Sequence, residues 1–151
     1  MINKNMDNMK RKHELGQYFT TNYDLKHKVL EFIKNNPDSI LEPSVGQGDL
    51  VHVIYHNNNK IKFDMYEIDT TIKMLDGIPQ NVIYGDFIKK DINKKYKTII
   101  GNPPFVRTKT GNLYIEFIKK CYNLLEQNGE LIFIVPSDFF KLTCASALLN
   151  N

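Results

Sequence analysis

Apolar positions along the chain fall into short runs whose period switches repeatedly between helix-like and strand-like. From Asp24 to Asn36, the residues Leu25, Val29, Leu30, Phe32 and Ile33 share one face of a helix, which must stop before Pro37. Ser39-Ile40-Leu41 predicts a short strand running into Glu42-Pro43. A turn follows at Val45-Gly46-Gln47-Gly48, then a helix through Leu50, Val51, Val53, Ile54 and Tyr55 that Asn57-Asn58-Asn59 breaks. Ile61 to Ile68 alternates and predicts a second strand ending at Glu67-Ile68-Asp69. A short helix to Leu75, closed by Asp76-Gly77, precedes a third strand at Val82-Ile83-Tyr84. Tyr96 to Ile100 predicts a fourth strand that runs directly into Gly101-Asn102-Pro103-Pro104-Phe105. After a polar loop come an amphipathic helix from Leu113 to Leu125 capped at Gly129, a fifth strand from Leu131 to Val135, and a last helix from Phe139 to Leu149.

Strands four and five are almost continuously apolar, as expected of strands covered on both faces, and strands alternate with helices. The expected fold is therefore α/β, a doubly wound, mostly parallel sheet with helices on both faces. Such sheets bind ligands beyond the carboxyl ends of their strands, where the strand order reverses. Four strand ends in this chain carry polar or glycine-rich signals, at residues 42–48, 67–69, 85–87 and 101–105.

Composition narrows the class without changing the architecture. A chain of 151 residues, 42% hydrophobic and 25% charged, makes one domain with one real core. Its two cysteines exclude a disulfide scaffold and form no Cys-x-x-Cys pair, so no metal site is expected. No apolar run approaches the length of a membrane span, and the first residues have no apolar core of a signal peptide. An intracellular globular domain is expected. Lys4, Lys10, Arg11 and Lys12 against Asp7 account for the whole net charge of +3. Residues 1–13 thus read as a basic, flexible leader that either steers toward phosphate or has no function, and 14–151 as the folded domain.

The strand-end loops carry the chemistry. Gly46 and Gly48 permit positive φ and close approach of backbone to a ligand, but a third glycine is missing at Val51 and no Gly-Lys-Ser/Thr follows. Alone, this loop suits a plain tight turn as well as a cofactor. Glu67, 19 residues after Gly48, can accept both hydrogens of a ribose diol. Asp86 can accept from an adenine amino group, with Ile68 and Phe87 packing on the ring faces. Together these residues describe an adenosine site with no phosphate requirement. In Asn102-Pro103-Pro104-Phe105 the prolines stiffen the loop, the Asn oxygen and a proline carbonyl are two acceptors in fixed geometry, and the aromatic is a stacking platform for a planar base.

These motifs carry a resemblance. Gly16-Gln17-Tyr18-Phe19-Thr20, Glu42 to Gly48, Tyr66-Glu67-Ile68-Asp69, Gly85-Asp86-Phe87, Asn102 to Phe105, Tyr114 to Phe117 and Gly129 to Phe139 occur in that order. The chain resembles the amino-methylating DNA methyltransferases of restriction–modification systems, in particular the adenine-specific group with the cofactor motifs first (gamma-class order). The resemblance covers about residues 14 to 149. It implies the class I, Rossmann-like methyltransferase fold and S-adenosylmethionine as cofactor. It also implies that Thr20 and the loop Glu42, Pro43, Ser44, Val45, Gly46 and Gly48 hold the methionine end, Glu67 the ribose and Asp86 the adenine. Asn102 and the Pro103 carbonyl would accept the two hydrogens of an adenine amino group, with Pro104 stiffening the loop and Phe105 stacking on a base flipped out of double-stranded DNA. No covalent enzyme intermediate is needed, so Cys121 and Cys144 are expected to be ordinary helix residues.

The chain ends before the β-hairpin and target-recognition domain with which the family usually continues, so the sheet is expected to be incomplete at its C-terminal edge and a separate recognition subunit or domain is an expected partner. Arg107 and Lys109 are placed to touch DNA phosphates, whereas Lys89, Lys90, Lys94, Lys95 and Lys97 precede strand four, at the far end of the sheet, and read as a solvated surface. Two alternatives stay open. The same two-acceptor chemistry serves a glutamine amide in protein or a base in structured RNA, and a non-catalytic remnant would bind S-adenosylmethionine alone.

Overall fold

The computed structural model describes residues 19–108, 111–135 and 137. Helix α1 (Tyr23–Phe32) opens where the Asn22 side-chain oxygen accepts the Leu25 N–H at 2.9 Å, capping an otherwise open helix end. Strand β1 (Ser39–Glu42) follows, then helix α2 (Asp49–Asn57), β2 (Lys62–Glu67), β3 (Val82–Tyr84) and a 3-10 turn at Phe87–Lys89. β4 (Tyr96–Gly101), a two-stranded antiparallel hairpin of β5 (Arg107–Thr108) and β6 (Gly111–Asn112), helix α3 (Leu113–Asn123) and β7 (Leu125–Phe133) complete the order.

The main sheet runs β3-β2-β1-β4-β7, and every neighbouring pair in it is parallel. Strand order therefore reverses between β1 and β4, and the carboxyl ends of those two strands open on one crevice. Successive strand residues point to opposite faces, and the core divides accordingly. Ile40 and Ile100 join Val29, Val51, Ile54, Phe63 and Met65 on the face covered by α1 and α2. Leu41 and Ile99 join Tyr66, Tyr96, Phe117 and Cys121 on the face covered by α3. Both faces are covered, which is why β1 and β4 read as unbroken apolar runs.

Three expectations give way. The short helix expected before Leu75 is an irregular loop: Asp69 Oδ1 accepts both the backbone N–H and the hydroxyl of Thr71, and the Leu75 N–H goes to Gln47 O at 2.8 Å instead of into a helix. The polar stretch after Phe105 contains the β5–β6 hairpin. The third helix ends at Asn123, and β7 begins at Leu125, earlier than Leu131. Tyr96 pairs with Leu125 and Thr98 with Glu130, so residues 126–129 bulge out of the strand, with Asn128 at φ 61°. Gly129 is tightly enclosed there, since a Cβ would lie 3.0 Å from Glu126 O and 3.1 Å from Tyr96 O. The basic leader at 1–13, Gly16 to Tyr18, Lys109, Cys144 and the expected helix from Phe139 to Leu149 lie outside the described residues.

The bulge is stapled to the other end of the chain. Glu130 accepts from the Lys34 N–H (3.0 Å), the Asn35 N–H (3.1 Å) and the Thr98 hydroxyl (2.7 Å), while Asn35 Nδ2 donates to Asn128 O and Lys97 O.

Candidate functional site

The crevice at the carboxyl ends of β1 and β4 is built from backbone geometry first. Leaving β1, the chain turns through Gly46 (φ 57°) and Gly48 (φ 93°) before entering α2. These are left-handed conformations that side-chain-bearing residues adopt only at a cost. The space above Gly48 is filled, since a Cβ there would meet Ile78 Cδ1 at 2.5 Å and Met74 Cε at 2.9 Å. The loop that replaced the expected helix thus closes on the glycine turn from one side, while the Phe19 ring approaches Gly46 from another.

Glu67 locks the turn in place. Its Oε2 accepts the Gly46 N–H at 2.9 Å and its Oε1 the Asp69 N–H at 2.8 Å. Burial raises its pKa, opposed by these backbone hydrogen bonds. Val45 N–H donates to Tyr66 O at 2.9 Å, so the glycine turn is tied both to the end of β2 and to its last side chain.

Glu42 is more deeply enclosed, with 2% of its surface exposed. Its Oε1 accepts the Ser44 N–H at 3.1 Å, and burial pushes its pKa up to about 8, with the nearby Glu67 adding to the rise. Two carboxyl groups therefore stand beneath the turn, both held toward the protonated form by burial.

Asn102, at the end of β4, meets this loop directly. Its Nδ2 donates to Thr20 Oγ1 at 3.0 Å, and its backbone carbonyl accepts from Ser44 Oγ at 3.4 Å. On the other side, Gly101 O accepts the Ile134 N–H at 2.9 Å. The Asn102 Oδ1 atom is enclosed. Pro103 is fully buried, and the half-buried Phe105 packs edge-on against Tyr114 with ring centroids 5.9 Å apart. Phe19, Thr20, Glu42, Ser44, Val45, Gly46, Asp49, Leu50 and Asn102 together line a cavity of about 30 Å³.

The expected adenine side is arranged differently from the sequence picture. Ile68 is 52% exposed at the end of β2, an open apolar surface for a flat ring. Phe87 is not: its ring is buried between Tyr66 and Phe117, both at 5.3 Å, so it belongs to the core beneath the sheet end. Asp86 caps the 3-10 turn, Oδ1 accepting the Ile88 N–H at 3.1 Å, and its Oδ2 lies 3.2 Å from Lys89 Nζ.

Several contributors had no sequence signal of their own. Asp49 accepts from Gln47 Nε2 at 2.9 Å and pairs with Lys26 at 3.7 Å, placing an acid in the first turn of α2 beside the cavity. An acid just after Gly-x-Gly was the available clue. Lys120 on α3 donates to the carbonyls of Phe87 (2.6 Å), Ile88 (3.0 Å) and Lys90, bracing the 3-10 turn that carries Asp86. Burial lowers its pKa. Lys94 and Lys95, by contrast, are tied to Asp64 (2.6 Å) and to Asn123 O at the far end of the sheet, away from the crevice. Cys121 is buried, and burial pushes its thiol pKa up, as for an unreactive helix residue. Among the described residues, no group of three or more His, Cys, Asp or Glu is arranged to hold a metal ion, and no helix is long and apolar enough to cross a membrane.

Comparison with known proteins bears on this geometry. A family model described as Eco57I restriction-modification methylase matches residues 2–150. The chain is 34% identical to the Type II methyltransferase M.HincII of Haemophilus influenzae over 93% of its own length and 32% of that protein. It is 32% identical to the Type II methyltransferase M.CvrRI of Paramecium bursaria Chlorella virus XZ-6E, over 84% of this chain and 38% of that one. The chain thus spans about a third of the length of these curated relatives. A Listeria monocytogenes protein assigned to the class I S-adenosylmethionine-dependent methyltransferases shares the fold with a TM-score of 0.65 at 15% identity, over 84% of this chain and 48% of that one.

Proposed function

The chain belongs to the Eco57I restriction-modification methylase family, and on that premise we propose that it binds S-adenosylmethionine and transfers the methyl group to the exocyclic amino group of adenine in DNA. One observation carries the reading. Asn102 sits at the switch point of a parallel sheet, with its backbone carbonyl hydrogen-bonded to the glycine turn of β1 and its side chain anchored on Thr20.

The residues fit the cofactor. The left-handed turn at Gly46 and Gly48 leads the chain from β1 into α2, and Gly46 lines the cavity with its backbone. Glu67 has lone pairs beyond the two that take the Gly46 and Asp69 N–H groups, so it can also accept from a ribose diol. Ile68 offers an apolar face to the adenine ring, and Asp86 an acceptor for its amino group. Thr20, Ser44 and the carboxyl of Glu42 line the side of the cavity that would take the methionine end. When bound, S-adenosylmethionine supplies an electrophilic sulfonium methyl.

Everything else is done by the chain. An adenine amino nitrogen is a poor nucleophile because its lone pair is delocalised into the ring. The Asn102 side-chain oxygen and the Pro103 carbonyl accept its two N–H hydrogens and draw the nitrogen toward a tetrahedral geometry with a localised lone pair. Pro103 and Pro104 keep those acceptors rigid, so little reorganisation is needed at the moment of transfer. Phe105, braced by Tyr114, gives a flipped base a face to stack on. Arg107, exposed in the hairpin just after it, offers a cation to the DNA backbone. A further subunit or domain that reads the target sequence belongs to the same reading.

The test is calorimetric titration with S-adenosylmethionine, followed by incubation with unmethylated duplex DNA and mass analysis of the released nucleosides. N6-methyladenine appearing with time is the expected result. Methylated cytosine in its place would overturn the assignment to adenine, and a folded chain that binds no cofactor would overturn the whole reading.

A further inference from the structure

Asp86 is the acceptor offered to the adenine amino group in the proposed function, yet the strand that leads to it gives it little support. β3 is three residues long, stands at the edge of the sheet and leaves Ile83 and Tyr84 exposed. Beyond it the chain makes the short 3-10 turn at Phe87–Lys89, closed by hydrogen bonds from the Lys89 N–H to Asp86 O at 3.1 Å and from the Lys90 N–H to Phe87 O at 3.2 Å. A 3-10 turn has poorer hydrogen-bond geometry than an α-helix and is correspondingly easy to deform.

Lys120 supplies support from helix α3. Its Nζ donates to Phe87 O at 2.6 Å, to Ile88 O at 3.0 Å and to Lys90 O. An ammonium has three donors and accepts nothing, so the direction of these bonds is fixed and all three donors serve one turn. The same face of α3 also grips the turn's buried ring: Phe117 stacks on Phe87 with centroids 5.3 Å apart, and Lys120 Nζ lies 4.8 Å from the Phe87 centroid. Residues 117 and 120 are neighbours on the helix surface, so one helix face holds both the carbonyls and the ring. Asp86 itself stays open to a ligand. Its side chain is 35% exposed, with Oδ1 accepting the Ile88 N–H at 3.1 Å, and its pairing with the exposed Lys89 is a surface contact that fixes little.

Resting on the proposed binding of S-adenosylmethionine, we infer that Lys120 is a positioning residue for recognition of the cofactor's base: by holding the carbonyls of Phe87, Ile88 and Lys90 it keeps the Ile88 N–H on Asp86 Oδ1, and so fixes the carboxylate that selects a 6-amino group over a 6-oxygen. The distinction is chemical. Adenine carries N–H donors at its 6-position, which a carboxylate accepts, whereas hypoxanthine carries a carbonyl oxygen there, which a carboxylate repels. Rejection of the wrong base needs the carboxylate held in one place, because a loosely held one moves aside at little cost. Packing on Ile68 is alike for the two bases, so losing the brace should erase the preference more than the affinity.

The experiment titrates the full chain by calorimetry with S-adenosylhomocysteine and with S-inosylhomocysteine, which differ only at that position, and takes the ratio of the two affinities. Lys120→Met keeps the aliphatic stem and removes the donors. The unaltered chain is expected to favour the adenine ligand at least tenfold, and Lys120→Met to bring the ratio within threefold. Asp86→Asn, whose amide can face either base, is expected to do the same, and adding Lys120→Met to it should change the ratio no further. Without ligand, NMR-detected exchange of the Ile88 amide proton should quicken at least tenfold in Lys120→Met while the amides of β1 keep their protection. A ratio unchanged in Lys120→Met, whether or not both affinities fall, would overturn the inference and leave Lys120 a structural brace. Unchanged exchange at Ile88 would overturn it with no ligand present. Equal affinities in the unaltered chain would overturn it too, by removing Asp86 from base recognition while leaving cofactor binding standing. A folded, unaltered chain that binds neither ligand would overturn the proposed function itself. Where Lys120→Met does not fold, Lys120→Gln, which keeps a donor on a shorter stem, is read by the same ratio.

Discussion

Glu67 Oε2 accepts the backbone N–H of Gly46 at 2.9 Å, joining the last side chain of one strand to the left-handed turn that leaves its neighbour. The carboxylate therefore shapes the turn, and in the proposed function it also accepts from a ribose diol. Glu67→Ala should remove both roles together. S-adenosylmethionine affinity is expected to fall at least tenfold, about 1.4 kcal/mol, measured by calorimetry.

In the proposed function, Asn102 serves the chemistry and not the binding of cofactor. Asn102→Ala deletes one of the two acceptors for the target amine but leaves Glu67, the glycine turn and Ile68 in place. Transfer from labelled cofactor should drop by at least a hundredfold, about 2.7 kcal/mol of barrier, while cofactor affinity stays within threefold. Equal losses of affinity in Asn102→Ala and Glu67→Ala would show that the two residues do not have distinct roles.

Gly48 has no room to change. Its φ of 93° and the 2.5 Å that would separate an added Cβ from Ile78 Cδ1 both oppose a side chain. Gly48→Ala should destabilise the fold by about 1–3 kcal/mol from backbone strain and overpacking, read by urea unfolding. Ile78→Ala combined with Gly48→Ala should recover the steric share and not the strain.

Glu42 makes stability depend on pH in a direction opposite to most carboxylates. Its folded pKa is raised to about 8 by burial, above the ordinary value of 4.5, so the folded chain keeps a proton that the unfolded chain has released. Stability contributed by the protonated group is present at low pH and is lost as pH climbs from about 4.5 through 8, with a slope of up to about 1.4 kcal/mol per pH unit for one proton. Glu67, whose pKa is also raised, acts in the same direction. Glu42→Gln should flatten the decline between pH 5 and 8 in urea titrations. An unchanged slope would show that Glu42 is ionised in the folded chain.

Glu130 is a structural staple remote from the crevice. Removing its carboxylate leaves the Lys34 and Asn35 N–H groups and the Thr98 hydroxyl without their acceptor. Glu130→Ala should cost about 2 kcal/mol of stability by thermal or urea unfolding, and should leave cofactor affinity unchanged.

Local pattern was enough for much of this molecule, and the reason is physical. Alternation along Ile40-Leu41 and Ile99-Ile100 sends neighbours to opposite faces, so an unbroken apolar run means a strand buried on both sides, and the parallel sheet follows. The strand-end motifs at Glu42, Glu67 and Asn102 were legible because a polar residue directly after such a run must sit at the sheet's rim. What only tertiary structure decided involves partners far apart in sequence. Periodicity could not say that the Leu75 N–H would be claimed by Gln47, undoing a helix, or that the Phe87 ring would face the core between Tyr66 and Phe117 rather than a ligand. Nor could it pair Thr20 with Asn102, or Glu130 with the Asn35 turn. A side chain's polarity reports that it needs a hydrogen-bond partner, but the identity of that partner depends on which distant backbone the fold brings alongside.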